Sequence, residues 1–246
     1  MSVQLNAKLN NDMKIGLWNI DHPEYYEGKL SQNQRFIRIK EYLKEQDCDI
    51  YILCETNAAL TLDGYFAFYS DESPYINKSR NYNKPNAYYQ VGVYSRVPAR
   101  QRTITEPING VLCEITNGNQ KFLLYGNVIT IKDRWKKDSD LTYSDRLQEQ
   151  LSQFESLADE GFIIGGDLNL RKGWANKNKA YNKVKQFAKD NDLCWPTSER
   201  TDTVQHMIHS NDLITSLEID ASVQHDKVRK NRLSDHPFVR VDVKLD

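Results

Sequence analysis

The chain has 246 residues, a formal net charge of −1 at neutral pH and 27% charged residues. That length can bury a substantial core and suits an α/β or two-sheet fold, so one domain over 1–246 is expected, with 1–12 a flexible N-terminal extension. The balanced charge excludes a global electrostatic case for a polyanionic partner, and no apolar run approaches the roughly 18 residues of a membrane span. The polar start MSVQLNAKLNNDMK has no signal core, and the four cysteines, Cys48, Cys54, Cys113 and Cys194, have neither CxxC nor zinc spacing. Reduced structural thiols in a soluble cytoplasmic protein are expected, with no membrane association and no obligate protein partner.

In chain order, KIGLWNI (14–20) predicts a short strand. SQNQRFIRIKEYLKEQ (31–46) predicts a helix from the spacing of Phe36, Ile37, Ile39 and Leu43, and CDIYILCET (48–56) predicts another strand. This β-helix-β order points to an α/β layered fold rather than an all-β one. Residues 71–90, rich in Asn, Tyr, Lys and Ser, read as a long loop. YQVGVYSRV, TITEPI (103–108), GVLCEIT and KFLLYGNVIT read as four strands of an antiparallel meander with a turn at Asn117–Asn119.

YSDRLQEQLSQFESLADE (143–160) predicts a helix with Leu147, Leu151, Phe154 and Leu157 on one face and Ser144 as its cap. FIIGGDLNL (162–170) follows as a strand, AYNKVKQFAKDNDL (180–193) as an amphipathic helix and DLITSLEIDASVQ (212–224) as a strand pair. FVRVDVKL closes the chain with Val239, Val241 and Val243 in strict alternation.

Four polar clusters stand at predicted strand ends: Trp18-Asn19, Cys54-Glu55-Thr56, Asp167-Leu168-Asn169 and Ser234-Asp235-His236-Pro237. Strand side chains alternate with period two, so Asp167 and Asn169 project the same way from one strand end. Strand ends carry functional loops in layered α/β proteins. An oxygen-rich set with one imidazole and no thiolate suits a hard cation, Mg²⁺ or Mn²⁺, better than zinc. Such a cation commonly leaves coordination positions for substrate phosphate, which makes phosphoryl chemistry the natural reading, with His236 or an Asp taking the proton of the attacking water. Standing alone, Asn19 reads as a strand-end cap, Glu55 as a solvated charge and Asp235 as part of a turn. Their occurrence as a set carries the argument. His22, His206, His209 and His225 read as surface or core histidines.

The order LWNI, ILCET, GDLNL, SDHP resembles the endonuclease/exonuclease/phosphatase superfamily, which includes pancreatic deoxyribonuclease and the abasic-site endonucleases. Arg35 opening the first helix, GVYSR at 92–96 and Arg146 before GDLNL extend the resemblance over nearly the whole chain. The resemblance implies a four-layered sandwich of two packed, mostly antiparallel β-sheets flanked by helices. It also implies that Glu55 is the principal metal ligand with Asn19 and Asp235 close to the ion, that Asp167 orients or deprotonates water, that Asn169 holds a phosphate oxygen and that His236 contacts the scissile phosphate or acts as acid/base. Where family members often carry a phosphate-binding His or Tyr, this sequence has Asn127, with Thr130 nearby. Where an Asp usually orients the catalytic His, HSNDLITS offers Asn211 or, after a one-residue slip, Asp212.

Local charge is asymmetric. RKGWANKNKAYNKVK (171–185) and KVRKNR (227–232) flank the GDLNL and SDHP motifs and contain no acid. Arg171, Lys172 and Trp174 then become candidates for binding phosphates and stacking on bases. YINKSRNYNKPNAYY (75–89) and KDRWKK (132–137) have a similar mixture. The leading reading is a metal-dependent phosphodiesterase acting on nucleic acid, DNA before RNA. The alternatives are a hydrolase of a small phosphorylated metabolite or lipid headgroup, and a catalytically weakened nucleic-acid-binding module.

Overall fold

The structure is a computed structural model describing residues 12–29, 33–72, 87–105, 107–131, 141–157, 161–220 and 233–245. Residues 1–11 of the expected 1–12 extension, the 227–232 run, the 132–137 run, His225 and most of the 71–90 loop fall outside the described residues, while Asp12 opens the first strand.

Two six-stranded sheets carry the fold. The first contains β1 (Asp12–Asn19), β2 (Ile50–Asn57), β3 (Phe66–Tyr69), β4 (Tyr88–Ser95), β11 (Ile214–Asp220) and β12 (Val239–Leu245), in the order β11-β12-β1-β2-β4-β3. The second contains β5 (Ala99–Arg102), β6 (Gly110–Asn117), β7 (Gln120–Val128), β8 (Phe162–Asp167), β9 (Leu193–Cys194) and β10 (Gln205–Ser210), in the order β5-β6-β7-β8-β10-β9. β1–β2 and β7–β8 pair in parallel and the remaining described ladders are antiparallel. A parallel pair needs a crossover, which α1 (Gln34–Gln46) supplies between β1 and β2 and α2 (Tyr143–Glu155) between β7 and β8. A further helix, α3 (Asn178–Asp190), follows β8.

The sheets pack face to face through Ile15, Leu17, Ile52 and Val93 on one side and Val111, Leu124, Ile163 and Met207 on the other. Outside the first sheet, Trp18, Tyr51 and Leu53 meet Phe36, Ile39 and Leu43 of α1. Outside the second, Phe162, Ile164 and Ile208 meet Leu147, Leu151, Val184 and Phe187. This is the expected four-layered α/β sandwich. A strand covered on both faces needs apolar or small residues at every position, which is why FIIGGD of β8 is buried throughout.

Two glycines of β8 set how it reaches the upper edge. A Cβ on Gly165 would stand 2.6 Å from Ile52 Cδ1, so its absence lets the two sheets approach. Gly166 has φ +142 and an added Cβ would lie 2.0 Å from the Asn127 carbonyl, so the turn into Asp167 requires glycine.

Several local expectations change. TITEPI forms no strand among the described residues. The strand there is β5, and the meander is β5-β6-β7 only, because β4 belongs to the other sheet. α2 is capped by Thr142 rather than Ser144: the Thr142 side chain accepts from the Asp145 N–H while Asp145 accepts from the Thr142 N–H at 2.7 Å. DLITSLEIDASVQ supplies the single strand β11, and residues 221–224 fall outside the described residues.

Candidate active site

The carboxyl ends of the two parallel pairs meet at one edge of the sandwich, where Asn19 and Glu55 from the first sheet face Asp167 from the second. Asp167 is fully buried. Its Oδ2 accepts from Asn19 Nδ2 at 3.0 Å and lies 4.0 Å from His236 Nδ1, while its Oδ1 accepts from the Asn169 N–H at 2.8 Å. Burial lifts its carboxyl above the usual range, and His236, Asn19 and the Asn169 N–H offset part of that rise. The second ring nitrogen of His236, Nε2, is 3.3 Å from Asp235 Oδ1, so the imidazole stands between two carboxylates.

The supporting loops are tied down through their carbonyls. Arg35 donates to the carbonyls of Leu233 (2.7 Å), Asp21 (2.9 Å) and Ile20 (2.6 Å), which joins the segment after β1 to the one before His236. Arg146, buried, donates to Thr130 (2.8 Å), Leu141 and Ile131 in the same manner. Trp18 Nε1 donates to the His236 carbonyl at 2.9 Å and Ser234 Oγ donates to the Asn19 carbonyl, which fixes SDHP against the end of β1.

Beside this group, Asp21, His22 and Glu55 each offer a donor atom, all within 4.8 Å of one another. His22 Nε2 is 2.7 Å from Glu55 Oε2, and the His22 N–H donates to the Glu55 carbonyl at 3.1 Å. Burial would raise the Glu55 carboxyl, but hydrogen bonding and charge from His22, with Asn19 and His236 nearby, hold it below the usual carboxylate range. Burial raises Asp21, opposed by Arg35. Two carboxylates and one imidazole, converging from the segment after β1 and from near the end of β2, fit a divalent cation. Asp21 (φ 49), His22 (φ 49), Glu55 (φ 53) and Asn169 (φ 51) all have left-handed backbones, a conformation uncommon for side-chain-bearing residues and concentrated here at one place.

Among the described residues Asp21 and His22 join Glu55 in one close donor group, and Asn19 also hydrogen-bonds to the Glu55 carboxylate. Asn19 spends its amide on Asp167 and on the Asp21 N–H at 2.9 Å, and Asp235 is exposed beside His236. Asp21 lies two positions beyond Asn19, in a left-handed turn that strand alternation does not anticipate.

Asn211 and Asp212 do not reach the site. β10 runs antiparallel to β8, with Gln205 opposite Asp167 and His209 opposite Ile163, so Asn211 and Asp212 follow the remote end. There Asn211 donates to Asp192 at 2.7 Å. The β10 residue on the Asp167 face is Gln205, fully buried, with neither amide atom hydrogen-bonded. Its sequence signal was a polar residue opening the otherwise unremarked strand QHMIHS.

A cavity of about 340 Å³ opens over Glu55 and Asn169, lined also by Tyr88, Gln90, Thr130 and Ile131. Asn169 donates its amide to the Ile129 carbonyl at 3.0 Å. Thr130 lines the cavity, with its hydroxyl oxygen buried. Asn127 does not: it is fully buried, on the β7 face of Tyr125, and its amide has no partner. Of the basic segment, Arg171 stacks 4.7 Å over the Trp174 ring and Lys177 lies 5.1 Å from the same ring and 4.1 Å from Tyr143. Lys177 also donates to the Asn169 carbonyl, which attaches this platform to the site. Lys172 pairs with Glu199 on the surface instead.

A family model described as the endonuclease/exonuclease/phosphatase family matches residues 16–236. The chain belongs to this family. The match begins at β1 and ends on His236, so it takes in all four motif clusters.

Solved structures of the family's fold are similar over nearly the full length. The 3′-5′ exonuclease NExo from Neisseria meningitidis is 13% identical with a TM-score of 0.64, covering 94% of this chain and 100% of that one. The endonuclease domain of TRAS1, a telomere-specific non-LTR retrotransposon, is 14% identical with a TM-score of 0.61, covering 95% and 99%. Sphingomyelinase C from Streptomyces griseocarneus is 16% identical with a TM-score of 0.58, covering 94% and 99%. No curated protein sequence matches significantly. Among the described residues no helix is long and apolar enough to cross a membrane.

Proposed function

We propose that the chain is a divalent-metal-dependent phosphodiesterase that hydrolyses nucleic acid. The observation carrying this reading is the buried Asp167 carboxylate, oriented by Asn19 and the Asn169 N–H and set 4.0 Å from His236. Such a carboxylate, lifted by burial, is a competent proton acceptor.

Asp167 takes a proton from water as the water oxygen bonds to phosphorus and the ester P–O bond breaks. His236, held between Asp167 and Asp235, presents an N–H to a non-bridging phosphate oxygen as negative charge accumulates there. Asp21, His22 and Glu55 would hold a divalent cation, which would supply Lewis-acid charge stabilisation to the phosphate. Trp174, with Arg171 and Lys177 against its ring, gives a base something to stack on and a neighbouring phosphate something to pair with. That platform favours a nucleic acid over a small ester, and the NExo and TRAS1 likenesses support the same choice.

The test is a substrate panel: single- and double-stranded DNA and RNA, a bis-aryl phosphate and sphingomyelin vesicles, each with Mg²⁺, Mn²⁺ or EDTA, beside His236→Ala. Cleavage of a nucleic acid that needs metal and is lost in the variant supports the proposal. Turnover of only the small ester or only the lipid removes the nucleic-acid assignment, and turnover unchanged in the variant removes the mechanism.

A further inference from the structure

We infer that His22 is a nitrogen ligand of the bound cation, so that this centre prefers a borderline first-row ion over Mg²⁺. The inference rests on the divalent-cation part of the proposed function and is independent of which phosphodiester is cleaved.

His22 is placed for this by backbone as well as side chain. Its N–H is anchored to the Glu55 carbonyl at 3.1 Å, and its left-handed backbone (φ 49) turns the ring back toward the end of β2. The ring packs on Tyr88 with centroids 4.4 Å apart, which fixes its plane, and the residue is only 9% exposed. Nε2 then lies 2.7 Å from Glu55 Oε2. Neighbouring ligands around an ion at about 2.1 Å stand roughly 3 Å apart, so only a small opening of this pair admits a cation between them.

The other ring nitrogen, Nδ1, is buried and has no hydrogen-bond partner. In the metal-free chain the 2.7 Å contact with Glu55 is a hydrogen bond donated by Nε2–H, so an ion bound at Nε2 replaces that proton and leaves the neutral ring protonated on Nδ1. Asp21 closes the set from the adjacent position, all three donor atoms lying within 4.8 Å. A neutral imidazole between two carboxylates changes the chemistry of the site. All-oxygen sites suit Mg²⁺, whereas imidazole favours ions toward the Zn²⁺ end of the first row.

The experiment is calorimetric titration of the full chain, stripped with EDTA and dialysed, with Co²⁺ and separately with Mg²⁺. Wild type is expected to bind Co²⁺ more tightly. His22→Ala is expected to lose about tenfold or more of its Co²⁺ affinity while its Mg²⁺ affinity changes by less than about threefold. His22→Gln, which keeps the volume without the imidazole, is expected to follow His22→Ala, and melting curves in EDTA report whether both variants remain folded.

An unchanged ratio of the two affinities in both variants overturns the inference, as does failure of wild type to bind either ion. Should the variants unfold, pulsed electron paramagnetic resonance of wild type loaded with Mn²⁺ decides: nitrogen modulation supports the His22 ligand and its absence overturns it. Failure of the cleavage panel leaves these titrations standing, while a metal-dependent nuclease with an unchanged ratio removes this inference alone.

Discussion

His236 Nδ1 stands 4.0 Å from Asp167 Oδ2 across the seam between the two sheets. Asp167 ends β8 of the second sheet, whereas His236 precedes β12 of the first. This pairing therefore exists only when the sheets are docked, and the inter-sheet core beneath it, with Gly165 allowing close approach, is what sets its geometry.

Asp167 is retained at a cost to stability. Burial raises its folded-state pKa, so the folded chain holds this proton more tightly than the unfolded chain does. The favourable contribution is present in acid and is lost as pH rises through the folded pKa. Asp167→Asn should accordingly melt at the same or a higher temperature than wild type at pH 7, with the difference vanishing below the ordinary carboxylate range. A lower melting temperature at pH 7 would contradict this.

Gln205 shows the same trade at a neutral side chain. It lies opposite Asp167 with both amide atoms buried and unbonded, a burden of about 1–3 kcal/mol. Gln205→Met, similar in volume and apolar, should raise Tm by a few degrees while lowering kcat. A fall in Tm, read by calorimetry, would mean that the amide is satisfied in the folded state.

Much of this site was legible in the sequence because strand ends carry it. Asn19, Glu55 and Asp167 lie at or near the ends of apolar strands and His236 precedes one, whereas period-two alternation does not extend to Asn169, which lies beyond β8 with a left-handed backbone. Strand direction was not legible: the residues of QHMIHS are all buried, so no polar-apolar alternation marks the strand, and Asn211 and Asp212 were assigned to the wrong end of it. The closeness of Asp21 and His22 to Glu55 was not legible because a left-handed turn, rather than a regular element, brings them together. Thr142 displaced Ser144 as a cap because α2 starts two residues earlier than a Ser144 cap requires.

His206 makes stability fall in mild acid. Fully buried, its Nε2–H donates to the Leu170 carbonyl at 2.8 Å and its Nδ1 accepts from Trp195 at 3.2 Å, and burial pushes its pKa down to about 4. The folded ring resists protonation that the unfolded ring accepts near 6.5. Stability from the neutral ring is complete above that value and is lost as pH falls toward 4, about 3 kcal/mol in all. His206→Gln should lower Tm at pH 7.5 but show a smaller fall between pH 7.5 and pH 5 than wild type. Parallel pH profiles would contradict the assignment.

Trp174 should act on binding rather than on chemistry. Trp174→Ala is expected to raise KM for a single-stranded substrate by about tenfold with kcat little changed, the scale of one lost base stack. Arg171→Ala should flatten the dependence of KM on salt, since one phosphate contact is gone. Loss confined to kcat in either variant would place these residues elsewhere in the reaction.

The most direct measurement of the central claim is single-turnover cleavage of labelled DNA and RNA by wild type, Asp167→Asn, His236→Ala and the double variant, in saturating divalent metal. If Asp167 and His236 act as one acid/base unit, each single variant loses about 10²–10⁴ in rate and the double variant loses little more than either. Wild-type rates in both single variants, or losses that simply multiply in the double variant, would contradict the account.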